Sequence, residues 1–119
     1  MLLVEDSEVI AERLREALTA LEGVEVIATV DTEIAATACV RAQTVDVIVL
    51  DLQLKQGTGF GVLRGLGTQR PAVVVLTNYA LPEYRQYAQR LGADHFLNKS
   101  SDYEQLADLI GNLRDAHAH

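Results

Sequence analysis

Within Asp46-Val47-Ile48-Val49-Leu50-Asp51-Leu52, the four residues Val47 to Leu50 form an unbroken apolar run, rich in β-branched residues and flanked by the carboxylates of Asp46 and Asp51. It lies in a candidate strand, Val45 to Leu50, with no polar alternation, as expected of a strand buried on both faces of a parallel sheet. Working outward, similar short runs recur at Leu2 to Val4, Val24 to Ala28, Ala72 to Leu76 and Ala93 to Leu97. Longer amphipathic stretches separate them, the pattern of βα units whose helices cover both faces of one sheet.

The intervening stretches carry helix signals. Ser7 can cap a helix in which Ile10, Leu14, Leu18 and Leu21 recur at helical spacing, ending before Gly23. Asp31 can cap a second helix through Ile34, Ala38 and Ala42, and Pro82 suits the first turn of a helix over Leu81 to Leu91 that Gly92 closes. Ser101 with Glu104 fits a capping box ahead of Tyr103, Leu106, Ile110 and Leu113. The segment Gly57 to Gly67 holds five of the eight glycines, so the third helix is expected to be the weakest and most mobile.

The length of 119 residues suits one domain spanning 1–119, and a hydrophobic fraction of 49% is ample for a single core. The net charge of −7, with only Lys55 and Lys99 as lysines, argues against a nucleic-acid or anionic-membrane surface. Cys39 is the single cysteine and can form no internal disulfide. The apolar runs are too short for a membrane span and the N-terminus lacks the features of a signal peptide, so a cytoplasmic setting is expected.

In an open α/β sheet, ligands bind beyond the carboxyl ends of the strands. Here the first strand runs into Glu5-Asp6, the third into Asp51, the fourth into Thr77-Asn78 and the fifth into Asn98-Lys99. If those strands are neighbours, several carboxylates meet a hydroxyl and an ammonium at one edge. Carboxylates so close take up protons unless a cation sits among them. A hard, oxygen-liganded divalent ion, Mg²⁺ with retained waters and Mn²⁺ as the alternative, resolves the repulsion.

These residues make the chain resemble the receiver domains of bacterial two-component response regulators. The resemblance rests on Leu2-Leu3-Val4-Glu5-Asp6-Ser7, Asp46 to Leu52, Gly59-Phe60, Val75-Leu76-Thr77 and Gly92-Ala93-Asp94-His95-Phe96-Leu97-Asn98-Lys99, in order and nearly end to end. It implies a flavodoxin-like (βα)5 fold, a doubly wound open parallel sheet in the strand order 2-1-3-4-5. It further implies that Asp51 is the phosphoacceptor, taking its phosphoryl group from a sensor histidine kinase, a phosphotransfer protein or a small donor. By the same resemblance Asp6 and Asp51 ligate Mg²⁺ directly, Glu5 through water and Gln53 through its main-chain carbonyl. Lys99 pairs with the phosphoryl oxygens, and Thr77 donates its hydroxyl to one of them. Thr77 and Phe96 form a switch: the threonine moves toward the phosphoryl group and the ring turns inward, changing the face of the fourth helix, fifth strand and fifth helix.

Tyr84, Tyr87 and Tyr103 are expected on or near that face, which relates the domain to a downstream effector or to a second copy in a homodimer. Such a domain catalyses its own phosphorylation and dephosphorylation and is not a turnover enzyme. Two departures from the family pattern are visible: Lys55 and Ser100 stand where many relatives have proline. A Lys99-Ser100 bond held cis would cost about 2.5 to 4 kcal/mol, so a trans bond is expected. Gln53 and Tyr79 occupy positions that tune the phosphoryl lifetime, and the bulk of Tyr79 points to slow hydrolysis.

Plainer roles stand beside these. Glu5 and Asp6 can favour the positive end of the first helix, an effect of about 0.3 to 1 kcal/mol. Phe96 can be core, Lys55 a solvated loop residue, Cys39 a semi-buried helix residue, and His95 a surface residue opposite Phe96. His117 and His119 lie at a fraying terminus. A receiver that keeps the fold as a constitutive interaction module is the alternative function, against which the full set Glu5, Asp6, Asp51, Thr77 and Lys99 argues. A flavodoxin-like carrier would need a phosphate loop where Glu5-Asp6 stands, and an aspartate-based phosphatase a further aspartate at Gln53. The chain is expected to be either a stand-alone shuttle or the input part of a longer regulator.

Overall fold

Among the described residues the apolar runs become five strands, β1 (Leu2–Val4), β2 (Ala28–Val30), β3 (Val47–Leu50), β4 (Ala72–Thr77) and β5 (His95–Asn98). All pairings are parallel, in the order β2-β1-β3-β4-β5, as the resemblance implies. The helices between and after them are α1 (Glu8–Thr19), α2 (Glu33–Ala42), α3 (Gly59–Gly65), α4 (Pro82–Arg90) and α5 (Gln105–His117). The computed structural model describes residues 1–66, 71–78, 81–99 and 104–117. Tyr79, Ser100 and its bond to Lys99, Ser101, Tyr103 and His119 fall outside these residues.

Side chains alternate across each strand, so the sheet serves two cores. Leu3, Val49, Val74 and Leu76 face Leu14 and Leu18 of α1 and Leu106 and Ile110 of α5. On the opposite face, Leu2, Val4, Ile48, Leu50, Val73, Val75 and Phe96 meet Ala36 and Val40 of α2, Val62 and Leu63 of α3, and Ala88 of α4.

The second strand begins and ends later than Val24 to Ala28. Val24 and Val26 pack toward the core of α1 and α5, and the Val24 N–H returns to the Leu21 carbonyl. The chain reaches β1 only where the Ile27 N–H donates to the Met1 carbonyl at 2.9 Å, and the ladder runs from Leu2 beside Ala28 to Val4 beside Val30. Strand β3 starts at Val47, two residues after the expected start. The Ala93 N–H closes α4 on the Ala88 carbonyl, so β5 begins only at His95.

Ser7 caps α1 as expected, accepting from the Ile10 N–H at 3.3 Å, and Pro82 opens α4. Gly92, at φ +109°, lies in the left-handed region just past its end. The cap of α2 is Thr32, whose Oγ1 accepts from the Ala35 N–H at 3.1 Å, and not Asp31. Asp31 is engaged by Lys55, whose Nζ lies 3.1 Å from its Oδ2.

α3 spans only 7 residues, the shortest helix described. Two of its glycines answer to close packing. A Cβ on Gly59 would overlap the Asp51 carbonyl oxygen and stand 2.9 Å from Leu52 Cα, and one on Gly61 would collide with the Glu33 carboxylate. That carboxylate accepts from the Thr58 N–H at 3.1 Å, while the Glu33 N–H donates to the Gln56 carbonyl and the Lys55 N–H to the Asp31 carbonyl. The start of α2 is thus tied to the segment after β3.

Candidate functional site

Parallel pairing extends one residue past the strand ends and brings the expected site residues to one edge. The Glu5 N–H donates to the Val30 carbonyl at 2.9 Å, the Asp51 N–H to Val4 at 2.9 Å and the Lys99 N–H to Thr77 at 3.0 Å. Strands lie about 4.8 Å apart, so Lys99 stands some 10 Å of sheet from Asp51, with β4 between them. A long side chain is needed to cross that gap. Lys99 crosses it: its Nζ lies 2.6 Å from Asp51 Oδ2 and 2.7 Å from Glu5 Oε2.

Glu5 and Asp51 are only 4% and 5% exposed, and Thr77 is fully buried. The Ser7 N–H donates to Glu5 Oε1 at 3.2 Å and the Gln53 N–H to Asp51 Oδ1 at 3.3 Å, so the backbone helps fix both carboxylates. Burial lifts the Glu5 carboxyl from 4.5 to about 7; the Lys99 hydrogen bond opposes this and the Asp51 charge adds to it. Burial by itself pulls the Lys99 ammonium down, but the hydrogen bonds and charges of Asp51 and Glu5 outweigh it and leave Lys99 above its ordinary value.

Glu5, Asp6 and Asp51 each offer a carboxylate oxygen, and these atoms lie within 4.8 Å of one another. When all three are ionised, Lys99 balances one charge and leaves two in excess. An all-oxygen donor set with that excess fits a hard divalent cation, Mg²⁺ in the first instance. The Lys99 bridge to Glu5 and Asp51 is the form that the expected meeting of carboxylates and ammonium takes at this edge.

Gln53 is exposed and reaches the site by its N–H. Phe96 is buried in the core beside Val75, and Arg85 of α4 lies over its ring, with Cζ 5.1 Å from the ring centroid. Tyr84 and Tyr87 lie on α4, one of the three elements of the expected face, and their rings also reach Phe60 of α3. Their rings stand 6.1 and 4.9 Å from that of Phe60, and Arg64 donates to the Tyr87 hydroxyl at 3.0 Å. Tyr79 lies outside the described residues. The Arg85 contact and the Asp31–Lys55 pair escaped sequence reasoning, since each joins residues from separate elements and carries no local pattern.

Comparison with known proteins agrees with this arrangement. The family model of the response regulator receiver domain matches residues 1–111. A protein-glutamate methylesterase/protein-glutamine glutaminase of Xanthomonas campestris is 30% identical over 97% of this chain, and the transcriptional regulatory protein DesR of Bacillus subtilis is 27% identical over 93%. The chain spans 35% of the first relative's length and 56% of the second's. The crystal structure of the phosphorylated cyanobacterial phytochrome response regulator RcpA is 28% identical, with a TM-score of 0.77 over 96% of this chain and 89% of that one. With five parallel strands in the order 2-1-3-4-5 and an acidic group at their carboxyl edge, the chain belongs to the response regulator receiver domain family, whose role is phosphorylation-dependent signalling.

Proposed function

We propose that this chain is a phosphorylation-driven switch whose phosphoacceptor is Asp51. A sensor histidine kinase, a phosphotransfer protein or a small phosphodonor supplies the group. An oxygen of Asp51 attacks phosphorus, the new O–P bond forms as the donor's P–N or P–O bond breaks, and the donor leaves with the electron pair. The product is an acyl phosphate. One observation carries this reading: Asp51 is buried at the sheet edge with Lys99 at 2.6 Å and two further carboxylates beside it.

Asp6 and Asp51 directly, Glu5 through water and the Gln53 carbonyl would hold Mg²⁺, or Mn²⁺ in its place. Bound there, the ion offsets charge on the phosphoryl oxygens. Lys99, freed from Asp51 as that carboxylate becomes an ester-like group, pairs with a phosphoryl oxygen. Thr77 donates its hydroxyl to another. The side-chain alternation of β4 puts Thr77 on the same face as Val75, the partner of Phe96 across β5. Movement of Thr77 is thereby felt by the ring, and the face of α4, β5 and α5 changes. Gln53 and Tyr79 tune how long the phosphoryl group lasts.

The domain acts on itself rather than on a turned-over substrate, and its output goes to an effector domain or protein, or to a second copy across that face. Among the described residues no helix is long and apolar enough to cross a membrane. A cytoplasmic setting with no direct nucleic-acid contact completes the reading.

The test is to incubate the chain with Mg²⁺ and acetyl phosphate and follow intact mass. The expected result is gain of one phosphoryl group in the unaltered protein and none in Asp51→Asn. No gain, or an equal gain in Asp51→Asn, would overturn the assignment.

A further inference from the structure

α4 buries a single side chain, Ala88, in the described structure; Glu83, Tyr84, Arg85, Gln86, Tyr87, Gln89 and Arg90 are exposed. Arg85 stands three residues before Ala88 and so shares its inward-leaning face. Its guanidinium reaches over Phe96, with Cζ 5.1 Å from the ring centroid. Among the described residues Arg85 forms no salt bridge and no hydrogen bond, so the ring is its specific partner. The ring itself is 7% exposed, packed against the core that Ala88 and Ala93 share. It pairs with Val75, one step before the pairing of Thr77 with Asn98.

We propose that Arg85 is a positioning residue for the switch: it holds Phe96 inward before phosphorylation and so couples the docking of α4 to the state of Asp51. The proposal rests on the reading of Thr77 and Phe96 as a switch. An arginine plane over an aromatic face is favoured electrostatically and sterically, and more so once the ring is out of water. If phosphorylation draws on the inward ring, a residue that populates that ring position beforehand raises the affinity of the site for its phosphoryl group. Linkage makes the effect reciprocal: phosphorylation tightens Arg85 on the ring, and anything that takes the guanidinium away weakens the site.

The chain has only two phenylalanines, Phe60 and Phe96, so 4-fluorophenylalanine labelling gives two fluorine resonances, which Phe60→Leu assigns. Spectra would be recorded with and without Mg²⁺ and beryllofluoride for the unaltered chain, Arg85→Ala and Arg85→Lys. In Arg85→Ala the Phe96 resonance is expected to shift or broaden before beryllofluoride is added, with Phe60 unmoved. Its apparent affinity for beryllofluoride should fall about two- to fivefold, as loss of one cation–π contact at a partly exposed site implies. Arg85→Lys should fall between the two.

A Phe96 resonance in Arg85→Ala that matches the unaltered chain would overturn the role of Arg85 and leave the switch reading standing. So would a joint shift of both resonances, which marks general loosening of α4. If Phe96 in the unaltered chain ignores beryllofluoride while the Asp51 amide responds, the switch reading fails, and this proposal with it.

Discussion

Apolar cores cover both faces of the sheet, yet α4 is held differently from α1 and α5. Against α1 and α5, Leu3, Val49, Val74 and Leu76 bury Leu14, Leu18, Leu106 and Ile110 almost completely. Each such side chain contributes about 1.5 to 3 kcal/mol on burial. On the other face α4 brings one buried alanine, two tilted aromatic pairs, one hydroxyl bond and one cation over a ring. Contacts of those kinds are worth about 0.5 to 1.5 kcal/mol each. If Asp51 takes a phosphoryl group as proposed, the added charge can redistribute a few kcal/mol, enough to shift α4 and too little to lift α1. On that proposal the asymmetry would let one edge of the sheet signal while the fold stays intact.

The strongest way to break that contrast is to attack the edge both faces share. Lys99→Ala leaves three grouped carboxylates without their ammonium, and loss of a buried partner costs about 3 to 5 kcal/mol. Denaturant titration should show that loss without metal and partial recovery on adding Mg²⁺; an unchanged midpoint would mean the bridge is idle.

Leu18→Ala probes the rigid face, where a fully buried leucine is replaced and about 2 to 5 kcal/mol should be lost. Phosphorylation of the folded fraction should be unchanged. A large loss of acceptor activity at equal folding would show that the α1 face takes part in signalling.

Next comes pH, through Glu5. Its carboxyl is raised to about 7 in the folded chain by burial, against 4.5 ordinarily, so the folded state holds a proton that the unfolded state has released. Stability from this group is therefore complete below pH 4.5 and falls between 4.5 and 7, by at most about 1.4 kcal/mol per unit. Midpoints measured across that window should show the decline without metal. Mg²⁺ should flatten it, because the ion favours the ionised carboxylate, and Glu5→Gln should abolish it.

The smallest effect is expected of Tyr87→Phe, which removes only the hydroxyl that Arg64 donates to. A loss of about 0.5 to 1.5 kcal/mol would sharpen the picture of α4 as lightly docked. Amide exchange should quicken in α4 and stay unchanged in α1. Equal quickening in both helices would dissolve the distinction between α4 and α1.

Most of the edge was readable in advance because its residues announce themselves where strands end. Asp6, Asp51 and Lys99 each follow an apolar run, and parallel pairing leaves them no other place to meet. Ser7, Pro82 and Gly92 were equally plain, since caps and breakers act on the backbone beside them. The second strand was misjudged because Val24 and Val26 look the same whether they serve a ladder or a core, and here they serve the core. The cap of α2 slipped by one residue because Asp31 had a competing partner, Lys55, that is distant in sequence. Arg85 over Phe96 had no local signal at all: the two are joined only by the way α4 lies on β5. Glycines in α3 suggested looseness, yet Gly59 and Gly61 mark places where atoms crowd.

The ties between the start of α2 and the segment after β3 bear on what insertions the chain could absorb. Surface connections ordinarily vary in length at little cost. Here the Glu33 N–H meets the Gln56 carbonyl, the Thr58 N–H meets the Glu33 carboxylate, and that same carboxylate fills the room beside Gly61. One added residue between Leu54 and Thr58 would pull all three out of step and set a residue with a side chain where only glycine fits. The segment works as a spacer of set length between Asp51 and α3, so a change in its residue count should cost more than most substitutions within it.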